Sequence, residues 1–338
     1  MIKLIKKYQK LIIAISFVYV FLIFSLVTPS GYSVIMPGGV TNIERNITIN
    51  DDNFDASNSI YSIYVSSYDN MTFFQYMVAL GKKRLDVYKT PQSRLDISSI
   101  DDFRRGQVQK ATSYDYSLIY AYSLASAKNS AITLDYELIG VRIEYRPGWL
   151  SDLNINDLVV GIGYRGVDYM FEPNMVPSEI KGVIDYTNNA EFTLIIRRNS
   201  SEERIELNRN ERNFRLNLLP DYEFIHAFPE FSTPGLNTNI GGPSGGLMQT
   251  LSIYTNLVNL NINMKIAGTG TVDYDGTVGA IGGAVQKVYT AVDNKIDIFF
   301  ITVKNKNDII GMSYLGKFNN YYIVETIEEA VSKLEELS

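Results

Sequence analysis

The sequence predicts a mixed α/β (α+β) protein with an N-terminal apolar helix, a segment that follows it, a strand-rich α+β module and a C-terminal α/β domain. An uninterrupted apolar run predicts the helix, short strand patterns separated by turns predict the module, and alternating strand and helix patterns predict the last domain. A chain of 338 residues is also too long for one ordinary core. The expected segments are a polar N-terminus (residues 1–10), the apolar helix (11–28), the segment that follows it (29–115), the strand-rich module (116–210) and the α/β domain (215–338).

Composition excludes several classes of site. Hydrophobic residues make up 46% of the chain and charged residues 20%, which is typical of a chain that folds around a core. The net charge is −6 and no stretch clusters Lys and Arg, so a nucleic-acid partner is not expected. The absence of cysteine excludes disulfides, thiol nucleophiles and thiolate metal sites, and the single histidine, His226, is the only imidazole base.

The N-terminus predicts a membrane anchor. Residues 1–10 carry four lysines and no acid, and "LIIAISFVYVFLIFSLV" follows with a length close to the roughly 20 residues that span a bilayer. A core helix would show a polar face, and "SLVTPSGYS" is a poor signal-peptide cleavage site. We therefore expect a transmembrane helix over residues 11–28 of a cell-membrane protein, with a cytoplasmic N-terminus and everything from about Thr28 outside.

Residues 29–115 begin with the turn-rich "TPSGYSVIMPGGV" and continue through the strand pattern "SIYSIYVSSY" to the helical pattern "NMTFFQYMVALGKKRL". No residue pattern here indicates catalysis. The segment is predicted to be a separate membrane-proximal module outside the membrane.

Residues 116–210 read as a helix followed by short strands, an order that resembles a PDZ domain. The resemblance places "LIGVRI" beside the peptide groove, with Leu138, Ile139, Gly140 and Val141 as peptide-binding residues and Gly140 near the carboxylate-binding loop. In such modules a peptide adds as a strand to the edge of the sheet. An ordinary β-rich domain with a closed edge fits the pattern equally well.

The last segment contains the strand patterns "KIAGTGTV" and "IDIFFITV" and the helical patterns "SGGLMQTLSIYTNLVN" and "GGAVQKVYTAVDN". A capping box formed by Thr326 and Glu329 opens a final helix, "TIEEAVSKLEEL". These elements predict an α/β domain.

The stretch "GGPSGG" before the first of these helices holds the candidate nucleophile, Ser244. Pro243 suits a first helical position, and Gly242 and Gly245 let backbone N–H groups approach a ligand. Leu247, Met248 and Leu251 follow Ser244 at helical spacing, which predicts that the serine shares the inward face of its helix, where free N–H groups could stabilise an oxyanion. Taken alone, the stretch is more often a helix cap and turn.

A serine nucleophile requires a base, and Lys287 is the better of two candidates. It lies between Ala284 and Ala291 on its helix, so that small neighbours allow the amine to be desolvated. Its pKa would have to fall from about 10.4 to roughly 7 or 8 for catalysis near neutral pH. A lysine that reaches water from the edge of its helix is the alternative. His226, in the aromatic "YEFIHAFPEF", is the other candidate and would belong to an ester hydrolase.

Together, "IGGPSGGLM" and "KIAGTGTVDYDGTVGAIGGAVQK" resemble the proteolytic domain of the Lon family of Ser-Lys peptidases. The candidate serine and lysine are 43 positions apart, as in that family. The order of anchor, PDZ-like module and peptidase domain is similar to the membrane-anchored, PDZ-containing Lon-like proteases of bacteria. The resemblance implies that Ser244 is the nucleophile, that Lys287 is its general base and that the hydroxyl of Thr269 helps to hold the lysine.

Two positions depart from the pattern of Lon proper. Gly241 stands where that family has an acidic residue, a difference shared by the PDZ-containing subgroup, and Gly245 stands where it has alanine. Asp273 and Asp275, in "VDYDG", read as turn residues and receive no catalytic role. No G-x-x-x-x-G-K-[ST] motif occurs, so no nucleotide is expected. No metal or other cofactor is predicted either.

The resemblance thus implies a membrane-anchored, ATP-independent serine endopeptidase that cleaves unfolded, flexible or PDZ-captured proteins outside the cytoplasm. It also implies assembly into a ring of identical chains. A membrane-tethered peptide-binding scaffold that performs no turnover is the alternative from another class.

Overall fold

The protein is described by a computed structural model that covers residues 2–43, 48–49, 59–95, 97–185, 191–199, 201–208, 214–233, 241–318 and 320–338. Its helices are α1 Ile2–Val27, α2 Phe73–Ala79, α3 Gln92–Leu95, α4 Ser99–Lys128, α5 Pro177–Asp185, α6 Gly246–Leu257, α7 Ala284–Asp293, α8 Lys306–Ile309 and α9 Ile327–Glu335. Its strands are β1 Tyr32–Asn42, β2 Thr48–Ile49, β3 Ser59–Tyr68, β4 Asp86–Lys89, β5 Thr133–Tyr145, β6 Leu158–Tyr164, β7 Val167–Met170, β8 Glu191–Arg198, β9 Ser201–Asn208, β10 Asn217–Phe228, β11 Phe231–Ser232, β12 Lys265–Thr269, β13 Thr271–Val272, β14 Val278–Gly279, β15 Ile298–Thr302 and β16 Asn320–Val324.

One part of the molecule is built on a six-stranded sheet in the order β16-β15-β12-β3-β1-β4. The pairs from β16 to β3 are parallel, whereas β3-β1 and β1-β4 are antiparallel. All five residues of β15, "IFFIT", are buried, as expected for an inner parallel strand covered by helices on both faces.

Three strands of this sheet come from residues 29–115, which corrects the prediction of a separate membrane-proximal module. β3 pairs with β12 in register Lys265 to Ser59, across about two hundred positions of chain. The predicted boundary between residues 115 and 116 also falls inside the single helix α4. The segment therefore completes the sheet on which the last third of the chain folds.

A second sheet has the order β10-β5-β6-β8-β9, with β7 paired to β6. Its outer strand β10 begins at Asn217, inside the segment assigned to the peptidase domain, and pairs along β5. Helix α4 packs against both β5 and α6, and one hydrophobic cluster contains Leu118 of α4, Ile143 of β5 and Leu251 of α6. The two sheets thus share a continuous core through α4.

The predicted peptide-binding strand has no open edge at the predicted position. On one side of β5, Leu138, Gly140 and Val141 pair with β10. On the other side, Val141 pairs with Val159 of β6, and Leu138 N donates to Pro173 O at 2.8 Å. Because its own chain occupies both sides, the assignment of Leu138, Ile139, Gly140 and Val141 as peptide-binding residues is corrected: this stretch is an internal part of the sheet.

Helix α1 is long and apolar enough to cross a membrane over the 21 residues Lys7–Val27. Its side chains from Lys7 onward are almost all exposed on the protein itself, with Ser25 as the buried exception.

Candidate active site

Ser244 lies in a tight turn before α6. The helix begins at Gly246 with Gly245 as its N-cap residue, so Pro243 and Ser244 precede the helix instead of starting it as predicted. Gly242 has a φ of +89°, a left-handed conformation that glycine adopts without steric penalty. The turn therefore depends on glycine at the position two residues before the serine.

Helix α4 holds this turn in place. Gly242 N donates to Gly106 O at 2.9 Å, and Ser113 Oγ donates to Pro243 O at 3.2 Å. A Cβ atom on Gly241 would lie 3.1 Å from the backbone of Gly106. A side chain at Gly241 would require Gly106 or the turn to shift by a few tenths of an ångström, so this contact gives a local reason for glycine where Lon proper has an acidic residue.

The glycine that follows the nucleophile is also closely packed. A Cβ atom on Gly245 would lie 3.0 Å from Ser62 Oγ and 3.1 Å from Gln249 Nε2. An alanine here would require one of these side chains to move, so this departure from Lon proper matches the packing of the turn against β3.

Helix α6 is buried along its whole length. Leu247, Met248 and Leu251 are fully buried, as the spacing from Ser244 predicts, and every other residue of the helix is at least 90% buried. The helix is therefore held from all sides, and its N-terminal turn has a rigid support.

Two backbone N–H groups at the turn are free to bind a substrate oxygen. Gly246 N donates to Pro243 O and Leu247 N donates to Gly270 O. Within the part of the chain that the structure describes, the N–H groups of Ser244 and Gly245 have no hydrogen-bond acceptor. Such donors at the start of a helix can stabilise a negatively charged oxygen.

Lys287 is buried in α7 with 2% of its surface exposed. Its Nζ donates a hydrogen bond of 2.8 Å to Thr269 Oγ1. Burial lowers the pKa of Lys287 from 10.5 to about 7, because the charged ammonium loses its hydration there. The lysine is therefore not the exposed residue at the edge of a helix that was the alternative interpretation, and part of it is neutral near pH 7.

Thr269, the last residue of β12, connects the lysine to the serine turn. While its Oγ1 accepts from Lys287, its hydroxyl donates to Ser244 O at 3.1 Å. Gly270 N donates to the same carbonyl at 3.0 Å. The end of β12 thus fixes the Ser244 main chain and the Lys287 amine with respect to each other.

Ser244 and Lys287 both line a cavity of about 900 Å³. One wall is formed by residues 62–67 of β3, and another by residues of α4 that include Gly106 and Gln109. Among the described residues no direct hydrogen bond joins Ser244 Oγ to Lys287 Nζ. Both groups nevertheless face one space, and catalytic hydrogen bonds often form only with substrate bound.

The sequence did not identify the walls of this cavity. The stretch of β3 reads as an ordinary strand, and the first half of α4 lies in a polar stretch that shows no catalytic pattern. The serines of "SIYVSSY" were a weak indication, since hydroxyl side chains in a strand can face a polar cavity.

The other candidate residues lie elsewhere. His226 is exposed on β10 and does not line the cavity that holds Ser244. Asp273 and Asp275 lie in the turn between β13 and β14, where Asp275 Oδ1 accepts from Thr277 N at 3.0 Å. Within the described ranges no group of three or more His, Cys, Asp or Glu side chains could hold a metal ion. Of the candidate nucleophile and bases from the sequence, Ser244 and Lys287 are the ones that line the same cavity.

Replacing Thr269 with valine is expected to reduce kcat/KM for hydrolysis at this site by about 10- to 100-fold, mostly through kcat, because the amine loses its fixed position. Loss of the acceptor also disfavours the ammonium form, so the midpoint of the pH–rate profile should move to lower pH. Thr269→Ser keeps the hydroxyl and should retain most activity. An unchanged profile in the valine variant would contradict this role.

Residues 218–334 match the family model described as "Lon protease (S16) C-terminal proteolytic domain". The chain is 26% identical over 179 residues to the Lon protease of Flavobacterium johnsoniae, covering 52% of this chain and 21% of that protein. It is 27% identical over 192 residues to the Lon protease of Mesomycoplasma hyopneumoniae, covering 54% and 21%. A third, from Wolbachia pipientis, is 24% identical over 217 residues, covering 62% and 26%.

The chain thus spans about a fifth to a quarter of the length of the curated relatives that it matches. The shared part contains Ser244, Thr269 and Lys287. Residues 218–334 are therefore similar to the proteolytic domain of Lon proteases, and this similarity supports a serine peptidase.

Proposed function

We propose that this chain is a membrane-anchored serine endopeptidase that cleaves unfolded or flexible protein segments outside the cytoplasm through a Ser244–Lys287 dyad and without ATP. The observation that carries the proposal is the buried amine of Lys287, which Thr269 holds and which shares a cavity with Ser244. The Lon-type domain supports the reaction class.

In the first half of the reaction, neutral Lys287 accepts the proton of Ser244 as Oγ attacks the carbonyl carbon of a peptide bond. The oxygen of the tetrahedral intermediate becomes negative and accepts hydrogen bonds from Ser244 N and Gly245 N. The Lys287 ammonium then donates its proton to the leaving amine. The C–N bond breaks and an ester remains on Ser244.

In the second half, Lys287 is neutral again and accepts a proton from water. The hydroxide oxygen attacks the ester carbonyl carbon, and the Ser244 Oγ–carbon bond breaks. Oγ recovers its proton from Lys287, so that the product is a carboxylic acid and the enzyme is unchanged.

The substrate class follows from the site and from the motifs of the chain. The cavity is walled by β3 and α4 and is too small for a folded domain, so the substrate would enter as an extended segment. Since the sequence contains no phosphate-binding G-x-x-x-x-G-K-[ST] loop, unfolding by an ATPase of this chain is not part of the proposal. The proposal also includes assembly of identical chains into a ring. Sedimentation of the purified chain would measure the number of chains in the assembly.

The proposal is tested with the full chain in detergent micelles and fluorescent casein, an unfolded protein. Casein should be cleaved at the same rate with and without ATP, whereas a folded domain of similar size should resist. Dependence of cleavage on added nucleotide would overturn the ATP-independent part. Absence of cleavage at every pH between 6 and 9 would favour the peptide-binding scaffold.

The Ser244–His226 ester hydrolase gives a different result with one substitution. Because His226 is exposed on β10 and outside the cavity, His226→Ala should leave the cleavage of casein within about twofold of the parent. A nearly complete loss of activity in this variant would instead support the histidine as the base.

A further inference from the structure

We propose that α2 lies in the surface of the lipid bilayer and inserts Phe74, Met77 and Val78 among the lipids, so that the catalytic sheet is fixed at a set orientation to the membrane. This inference rests on the proposed membrane anchor and adds a second contact to it. The argument uses the outer face of α2, its attachment to α1 and the charges that follow it.

The outer face of α2 is apolar. Phe74, Met77 and Val78 have the i, i+3, i+4 spacing of a single helix face and are 40%, 39% and 47% exposed. The opposite face is already packed, since Tyr76 stacks on Tyr32 of β1 with ring centroids 4.5 Å apart and Ala79 is buried. A helix that packs one face on a protein and turns the other to water normally carries polar residues on the second face.

Helix α2 is attached to the end of α1 by backbone hydrogen bonds. Phe73 N donates to Thr28 O at 2.9 Å, and Ser30 N donates to Met71 O at 2.7 Å. The two helices also pack against each other, and Ser25 near the end of α1 is completely buried. When α1 spans a bilayer and leaves it near Val27, α2 is therefore held at the depth where lipid meets water.

The charges next to α2 suit this position. Lys82 and Lys83 follow the helix directly and are exposed, and among the described residues neither forms an ion pair. Arg84, the next residue, instead pairs with Asp293 of α7 at 2.6 Å and so connects this segment to the catalytic helix. An apolar helix face beside free lysines is the pattern of an interfacial helix that binds anionic headgroups.

A single tryptophan reports the depth of α2. The native Trp149 is first replaced by phenylalanine, and Phe74→Trp or Tyr321→Trp is then introduced in the full chain. Tyr321 is a matched control: it is aromatic, 44% exposed, and lies on β16 at the opposite edge of the sheet from β4. Both proteins are reconstituted into phosphatidylcholine and phosphatidylglycerol vesicles, with and without bromine on the acyl chains.

Bromine quenches only those indoles that it can contact, so emission from Trp at position 74 should fall by about half or more while emission from position 321 stays unchanged. Equal emission from position 74 in both kinds of vesicle, in protein that floats with the vesicles, would overturn the interfacial position of α2 and leave the anchor intact. Protein that does not float with the vesicles would overturn the anchor itself. Crosslinking between copies at position 74, without quenching, would show that a second chain covers this face.

Discussion

Ser244→Ala is expected to reduce kcat/KM for casein by at least about 10⁴-fold, the largest loss expected from a single substitution in this chain. Without Oγ no acyl-enzyme can form, and water activated by Lys287 would have to attack the peptide bond directly. The fold should be unaffected, because the described contacts of this residue that hold the turn use its carbonyl oxygen and not its hydroxyl. Cleavage is measured by release of fluorescent peptides, and folding by the thermal unfolding midpoint.

Ser252→Ala provides the matched control for this loss. Ser252 lies on α6, two turns beyond the nucleophile, is buried, and has an Oγ without a hydrogen-bond partner among the described residues. Its replacement should leave activity within about twofold of the parent. A fluorophosphonate reagent should modify the parent and Ser252→Ala proteins at Ser244, as detected by mass spectrometry, and should leave Ser244→Ala unmodified. If Ser244→Ala still cleaved casein at a tenth of the parental rate, Ser244 would be excluded as the nucleophile.

The sequence could single out Ser244 and Lys287, which the structure places at one cavity, because each lies in a local pattern. The glycines and proline around Ser244 mark a tight turn before an apolar helix, and the small residues around Lys287 mark a helix face that can bury an amine. The helices α6, α7 and α9 follow the same kind of short-range periodicity. Local patterns of this sort do not depend on which distant segments of the chain pack against them.

The walls of the cavity could not be predicted from local patterns. Pairing of β3 with β12 joins segments about two hundred positions apart, and nothing in either strand specifies its partner. The contact of Gly106 with the serine turn likewise depends on where α4 packs against the start of α6, and the sequence around Gly106 does not specify this. The same holds for β5, whose predicted open edge is covered by β10 and β6, because a strand pattern does not show which side is occupied.

Lys287→Met should inactivate the protein and also stabilise it. Proteolysis is expected to fall by at least about 10³-fold, since Lys287 supplies the amine that Thr269 holds in the cavity of Ser244. At pH 6 the parent buries a charged ammonium, whereas methionine fills a similar volume without charge. The free energy of unfolding of the variant should therefore be higher by about 1–2 kcal/mol, and its denaturant midpoint should be higher as well. Loss of activity through misfolding would instead lower the unfolding midpoint.

The pH dependence separates these two effects of Lys287. Its pKa is about 7 in the folded protein and near 10.5 when unfolded, so between these values the unfolded chain binds one more proton and the stability of the parent rises with pH. The stability difference should therefore favour the methionine variant most below pH 7 and should move by about 4 kcal/mol in favour of the parent towards pH 10.5, where the parent becomes the more stable protein. Over the same pH scale, parental kcat/KM should rise about tenfold per pH unit below 7 and level off above it, because only the neutral amine can take the proton of Ser244. A stability difference that does not vary with pH would show that the amine is hydrated, and a hydrated lysine would remain protonated and could not act as the base at neutral pH.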